Sequence, residues 1–270
     1  MQLPVSGIEV QFRVPNGGDD MALLETSGTA VEQALAVLPR LAGVAKQAPV
    51  EAACSELGAP WAGLSLTDFD VALLGLRRFL FGDRILCVFR CSAKDCGKRM
   101  ETEFSISALL DQIRPKNPPR LTPSREREGW FEMGGAAGRK LAFRLPTVRD
   151  QLSVMGREQA DQLLTERCLN PTRPGARELD RVERAMQMMA PLVSRSLDAS
   201  CPECGEQVTM QLHVPGLVMD ELSAAASRVH EEVDAIAEAY HWDEATILAM
   251  PQSRRRAYAE TIWRHRGAAV

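Results

Sequence analysis

Two short cysteine turns, Cys91-x-x-x-x-Cys96-Gly97 and Cys201-x-x-Cys204-Gly205, each lead into a strand-like alternation, and no other feature of the chain restricts its fold as much. A tetrahedral zinc ion takes four thiolates at about 2.3 Å, and a tight turn with glycine after its second cysteine can aim two sulfurs at one point. Two such turns complete the shell. The expectation is therefore one structural Zn2+ ion on Cys91, Cys96, Cys201 and Cys204, pinning together two segments distant in the chain. The helices between them become an insertion in a discontinuous zinc ribbon built from about 84–106 and 199–215. A redox pair normally sits at a helix N-terminus that lowers the thiol pKa, whereas a strand follows here. Cys54, Cys87 and Cys168 lack the turn context and read as small core hydrophobes, with Cys87 the nearest alternative ligand.

Seven cysteines, an odd number, do not suit a disulfide framework. No apolar run approaches the roughly 20 residues needed to cross a bilayer, and the first ten residues lack a basic-then-apolar signal pattern, so a cytoplasmic, membrane-free protein is expected. With 270 residues, 45% of them hydrophobic, the chain can bury a sizeable core. Its net charge of −4 provides no general attraction to nucleic acid or an anionic membrane.

Periodicity predicts an α+β, mainly α-helical protein. Residues 1–20 read as an extended arm ending in the turn Pro15-Asn16-Gly17-Gly18, and 21–270 as a single domain. Short helices broken at Pro39 and Pro49 are expected over 29–57, then a buried helix from Asp68 to Phe81 capped by Thr67 or Asp68. Arg84–Arg90 has apolar residues on both faces, as an inner strand would, and 100–106 reads as its hairpin partner. A helix over 107–113 precedes a proline- and glycine-rich stretch, 115–140, expected to be a long mobile loop. Helices are predicted over 147–168 and 178–192, and a strand over 207–214. Within the C-terminal helical region, 217–266, Val218, Leu222, Ala225, Val229, Val233, Ile236 and Tyr240 form one narrow seam. Trp242 closes that helix, Asp243 caps a short one, Pro251 stands at the first position of the last, and the chain ends in a helical hairpin.

Enzyme signatures fail one by one. Four cysteine ligands leave a metal no open position for water or substrate, so the ion should be structural. His230-Glu231-Glu232-Val233-Asp234 starts like a metalloprotease helix but has Asp where a second His is needed, and reads as a solvated face. Gly134 to Lys140 resembles a phosphate loop only in composition. Met186, Met188 and Met189 read as a core stripe, with an adaptable interaction surface as the alternative. The chain is expected not to be an enzyme.

Several stretches together resemble the baseplate hub assembly proteins of T4-like phages and their relatives in contractile injection systems. They are Leu3-Pro4-Val5-Ser6-Gly7 with Arg13 and Gly17-Gly18-Asp19-Asp20; Leu66-Thr67-x-Phe69-Asp70 through Phe81-Gly82-Asp83-Arg84; the two cysteine turns; and Arg144-Leu145-Pro146-Thr147 with Asp150 and Leu152. The most specific is His230-Glu231-Glu232-x-x-x-Ile236-Ala237-x-x-Tyr240-x-Trp242, continuing through Ile247-Leu248-x-Met250-Pro251-x-x-Arg254-Arg255-x-x-Tyr258. The first turn has more residues between its cysteines than the family leads one to expect, Val5 stands between Pro4 and Ser6, and 115–140 matches nothing in it.

The resemblance implies a small, non-enzymatic cytoplasmic chaperone that helps build the baseplate or central hub of a contractile tail and binds a hub or spike protein. His230, Tyr240, Trp242, Arg254, Arg255 and Tyr258 are the candidate partner-binding residues, Arg254 to Arg256 beside Tyr258 and Trp263 facing an acidic surface or simply solvent. The arm could add a strand to a partner's sheet. The alternative reading is a zinc-ribbon nucleic-acid-binding regulator using the triple arginine, against which the overall acidity weighs. A hydrolase assembled from Glu101, Glu103 and His213 has no signature behind it.

Overall fold

A computed structural model of the chain describes residues 1–44, 59–135, 140–172 and 174–267. Half of the chain is helical and the remainder carries small antiparallel sheets, so the class is α+β. The expected break at Pro49 lies outside the described residues, as do Cys54 and residues 136–139 of the phosphate-loop comparison.

The apolar alternation near the start produces strand β1 (Val10–Phe12), which leads into helix α1 (Gly17–Glu25) and helix α2 (Ala30–Leu41). Strand β2 (Ala42–Val44) then returns to pair with β1. This is not the expected extended arm. The first nine residues fold back on themselves, Leu3 N–H donating to Ile8 O and Gly7 N–H to Leu3 O, and Leu3, Ile8 and Val10 are buried in the main core. The expected turn at Pro15–Gly18 is instead a helix start. Asn16 accepts from the Asp19 amide and the Asp19 carboxylate accepts from the Asn16 amide, a reciprocal capping box. Nor does Pro39 end its helix: it sits in the last turn of α2, where its missing N–H removes only one terminal bond.

Helix α3 (Ala59–Ala62) precedes α4 (Leu66–Phe81), the central element. Its cap is Ser65, not Thr67 or Asp68, because those two side chains reach elsewhere: Thr67 Oγ1 donates to Pro191 O, and the Asp68 carboxylate accepts from the Val5 and Ser6 amides. Phe69, Val71, Ala72, Leu73, Leu74 and Leu76 are all buried, so α4 is covered on most sides. Gly82, with φ near +87°, lets the chain reverse into the first hairpin.

That hairpin is β3 (Arg84–Arg90) and β4 (Arg99–Ser105), in register from Arg84–Ser105 to Arg90–Arg99. The inner-strand expectation fails here. Among the described residues no strand pairs with β3 on its other side, and Leu86 (59% exposed) and Val88 (46%) face outward while Ile85 enters the core. Helix α5 (Ile106–Asp111) follows as predicted.

The supposed mobile loop 115–140 also differs. It contributes β5 (Thr122–Pro123), β6 (Trp130–Gly134) and, at its end, β7 (Lys140–Arg144). After helices α6 (Val148–Val154) and α7 (Ala160–Arg167), β8 (Leu169–Asn170) completes an antiparallel sheet in the order β5-β6-β7-β8. The single helix expected over 147–168 is divided where Gly156 (φ near +74°) and Gln159 (φ near +59°) leave the right-handed region. Helix α8 (Ala176–Met189) lays Val182, Ala185 and Met189 on Leu141, Phe143 and Leu169 to form a second core. Met186 packs beside them, whereas Met188 is exposed, so two of the three methionines serve the core.

Strand β9 (Arg195–Ser200), largely polar and unforeseen, pairs with β10 (Gln207–Leu212) as a second hairpin. The seam read through Val218 to Tyr240 is two helices, α9 (Val214–Ala226) and α10 (Val229–Tyr240), separated at Ser227-Arg228. Asp243 caps α11 (Glu244–Leu248) as expected, accepting from the Thr246 amide. Pro251 stands one position before α12 (Gln252–Gly267), its carbonyl accepting from Arg254 and Arg255.

Helices α1, α10 and α12 meet at Arg255. Its guanidinium, 1% exposed, pairs with Asp20 and, at 2.7 Å, with Glu232, both carboxylates being buried. Arg256 adds a 3.4 Å contact to Glu232, and Gln252 donates to Asp20 at 3.1 Å. Glu232 is therefore not part of a solvated face, and Arg255 is not a surface residue. A Cβ at Gly17 would lie 2.6 Å from Arg255 Nη1 and 2.8 Å from Leu248 Cα, so only glycine permits this approach. Removing the cation strands two buried carboxylates, which generally costs about 3–5 kcal/mol. Arg255→Ala should therefore lower stability by about that amount in denaturant unfolding, while Arg254→Ala on the exposed neighbour should stay within about 0.5 kcal/mol. Equal effects would refute the assignment.

Candidate metal centre and surface sites

The two hairpins end in turns of the same construction despite their different lengths. Cys91 N–H donates to Lys98 O (2.9 Å), and Cys96 and Gly97 donate back to Ala93 O. In the other, Cys201 N–H donates to Glu206 O (2.8 Å) and Gly205 N–H to Cys201 O (2.9 Å). Gly97 and Gly205, with φ near +56° and +75°, take the left-handed conformation that turns the chain back into β4 and β10. The extra residues between Cys91 and Cys96 thus do not prevent convergence.

All four sulfurs lie within 4.8 Å of one another, with Cys91 Sγ to Cys204 Sγ at 3.6 Å and Cys96 Sγ to Cys201 Sγ at 3.9 Å. A tetrahedron with metal–sulfur bonds of about 2.3 Å has an edge of about 3.8 Å. The four cysteines are close enough to hold a metal ion. Each bridging pair takes one sulfur from either hairpin, separated by 113 and 105 residues. Met100 and Val208 are buried beside Cys91 and Cys201, giving the cluster an apolar floor. The Lys98–Glu203 pair (2.6 Å) links the turns outside, but both groups are over half exposed and an ion pair there contributes little.

The thiols of the cluster differ in their electrostatics. Burial pushes the Cys201 thiol up, but the backbone amides of Cys204 and Glu203 aimed at its sulfur, with the neighbouring thiols, bring it down to about 7. At Cys91 the Ala93 amide pulls downward, yet burial and the three neighbouring cysteines win and push that thiol up to about 12. One sulfur ionises easily and its neighbour resists; a cation at the centre stabilises the thiolate form of all four. Cys87 packs half-buried at the edge of the main core and Cys168 is buried, its thiol pushed up to about 11 chiefly by burial, so both behave as small hydrophobes.

Three of the expected partner-binding residues come together. Tyr240 and Trp242 stack with ring centroids 5.0 Å apart, and Tyr258 meets both edge-on at 5.7 and 5.4 Å. Arg254 lies 5.7 Å from the Tyr258 ring and is exposed, as is Tyr240 at 41%. His230 is exposed too, but ten residues before Tyr240 on the same helix places it about 15 Å away along the axis. Arg255 belongs to the buried ion cluster instead. Glu101 and Glu103 engage Arg99 and Arg84 on the surface of β4, and His213 caps α9 by accepting from the Gly216 amide, so each has another task.

One group escaped the sequence reading. Asp70 lies buried on α4 and accepts from the amide and hydroxyl of Ser194, and burial, only partly offset by those two bonds, pushes its carboxyl up to about 6. An acid among the apolar residues Phe69, Val71, Ala72, Leu73 and Leu74 was the available signal. Among the described residues no helix is long and apolar enough to cross a membrane. No protein-family model matches the chain, and neither a curated protein nor a solved structure shows significant similarity to it.

Protein purified without chelators should carry about one metal ion per chain by elemental analysis. Cys201→Ser should lose most of that metal and melt at lower temperature, whereas Cys87→Ser should retain it.

Proposed function

We propose that the chain is a non-enzymatic assembly factor, a chaperone for the baseplate or central hub of a contractile phage tail or injection system, that binds a hub or spike component. The observation that carries the binding role is the aromatic group Tyr240–Trp242–Tyr258, in which Tyr240 is exposed and the other two rings are half-buried, with exposed Arg254 beside it. Aromatic residues and arginine dominate the energetics of protein interfaces, because they bury large areas at small entropic cost. The link to contractile tails rests on the sequence resemblance.

Zinc is the ion this reading assigns to the four cysteines, since thiolate donors favour it over hard cations and their spacing suits a tetrahedron. With every position taken by sulfur, the ion would have no place for water or substrate, and its role is to staple β3–β4 to β9–β10 as a discontinuous ribbon. Reduced thiols of this kind suit a cytoplasmic setting. The regulator reading depends on the triple arginine, and two members of that patch are already engaged, Arg255 by Asp20 and Glu232 and Arg256 by Glu232.

Co-expression with tagged hub and spike subunits, followed by pull-down and zinc quantification, tests the reading. One subunit should be retained with about one zinc per chain, and the double change Tyr240→Ala/Arg254→Ala should weaken retention at least about tenfold without altering the melting temperature. Retention of nucleic acid alone would replace it with the regulator.

A further inference from the structure

The two cysteine hairpins share a construction, and their inner sides line one cavity through Cys87 and Phe104 on the first and Met210 and Leu212 on the second. Their outer sides differ in chemistry. On β9–β10 the outward residues are polar and bond across the strands, Ser196 with Gln211, Asp198 with Thr209 and Ser200 with Gln207. Such a ladder suits water. On β3 the outward residues at mid-strand are Leu86 and Val88, both exposed.

The backbone of β3 is open along the same line. Cys91 N–H donates to Lys98 O, and Ile106 N–H to Asp83 O. Bonded pairs alternate in an antiparallel ladder, so Ile85, Cys87 and Phe89 turn their N–H and C=O groups toward β4. Arg84, Leu86, Val88 and Arg90 turn theirs to the other edge. Among the described residues no strand pairs there, and none of these four N–H groups has an acceptor. Sheet edges are normally guarded by charge, proline or a bulge, and the middle of this seven-residue edge has none of them.

Charge decides between occupants. Arg84 and Arg90 stand at the two ends of the edge. Arg84 has Glu103 at 3.0 Å, whereas Arg90 has no ion-pair partner among the described residues and lies opposite Arg99, a like-charge pairing that weakens the end of the hairpin. A second copy of the chain fits poorly. Pairing β3 antiparallel with itself about Cys87 sets Arg84 opposite Arg90, and centring the pair on Leu86 or Val88 sets an arginine opposite an apolar residue. A strand with an acid at each end and two alternating apolar residues between them matches every position.

We infer that the free edge of β3 is a β-addition site for an extended segment of a partner protein, in which two alternating apolar residues are flanked by acids. The backbone of that segment pairs with Arg84, Leu86, Val88 and Arg90, its apolar side chains lie on Leu86 and Val88, and its carboxylates meet the two arginines. The acid at Arg90 offsets the opposition of Arg90 and Arg99. This surface is built from other elements than the aromatic group of Tyr240, Trp242 and Tyr258, and the inference goes beyond the assembly reading, which names no such contact.

The test titrates the full chain, labelled with nitrogen-15 and purified without chelators, with the peptide acetyl-Glu-Thr-Val-Thr-Leu-Thr-Glu-amide. Saturable shifts of the Leu86 and Val88 amides are expected, with slowed exchange of their protons. Lysine in place of both glutamates should weaken binding at least about tenfold, and Arg90→Glu should reduce that preference. N-methylation of alternate amides along one side of the peptide should abolish binding and along the other side leave it, because a strand bonds through one edge. Val88→Pro removes one outward N–H and no bond to β4, and should abolish the shifts; the methylated peptides decide the matter if it does not fold. Absence of saturation up to about 1 mM peptide, equal binding by the glutamate and lysine peptides or by the two methylated forms, or retention by a folded Val88→Pro overturns the site. Dimerisation in sedimentation experiments that Val88→Pro abolishes would give the edge to a second copy and overturns it as well. The peptide is no hub sequence and the test leaves Tyr240 and Arg254 unchanged, so its failure is distinguishable from a failed pull-down.

Discussion

A polar side chain buried on a central helix must find its partner within the protein, and on α4 each of four such side chains bonds to a partner far away in the chain. Thr67 bonds to Pro191, Asp68 to Val5 and Ser6, Asp70 to Ser194, and Arg77 to Glu221 at 2.7 Å. Leaving any of these groups unsatisfied would cost roughly 1–3 kcal/mol, and more for a charged one, which is comparable to a large part of a domain's net stability. Apolar burial alone would let neighbouring elements slide over α4. These directional bonds set where the amino-terminal fold-back, the segment before β9 and helix α9 come to rest, and hence where the second cysteine hairpin begins relative to the first.

The cysteine cluster extends the same logic to the hairpins, which are two-stranded and have little core of their own. Two-stranded hairpins are marginal in water, so cross-connection matters more to them than to the helices. Exposed Leu86 and Val88 show how little of β3 is covered by protein.

Features governed by local chemistry were legible in the sequence. Cysteine turns, the Asp243 cap and the amphipathic stretch of α4 depend on residues near one another, and they emerged as read. Features decided by distant neighbours were not. Glu232 and Arg255 look like any charged helix face until α1 brings Asp20 against them. Trp130 to Gly134 resembles loop because its apolar residues make sense only when β7 pairs beside it. The seam from Val218 to Tyr240 gave no sign of the division at Ser227. The residues carrying the family resemblance divide accordingly: Arg144, Thr147 and Asp150 form a cap and ion pair, Glu232 and Arg255 a buried cluster, and Tyr240, Trp242 and Tyr258 a surface.

The pairing of Asp20 with Arg255 bears on how the protein comes into being. The two residues are 235 positions apart, so at about 5–20 residues per second a ribosome would hold α1 without its charged partner for on the order of ten to fifty seconds. Cys91 waits similarly for Cys204, 113 positions later. Early segments can gather around α4 during that interval, but the first helix acquires its final seat only when the last one has emerged. Truncated products would therefore lack the closure at both places, and quality-control machinery could tell them from finished chains by the uncovered charges and apolar faces they leave behind.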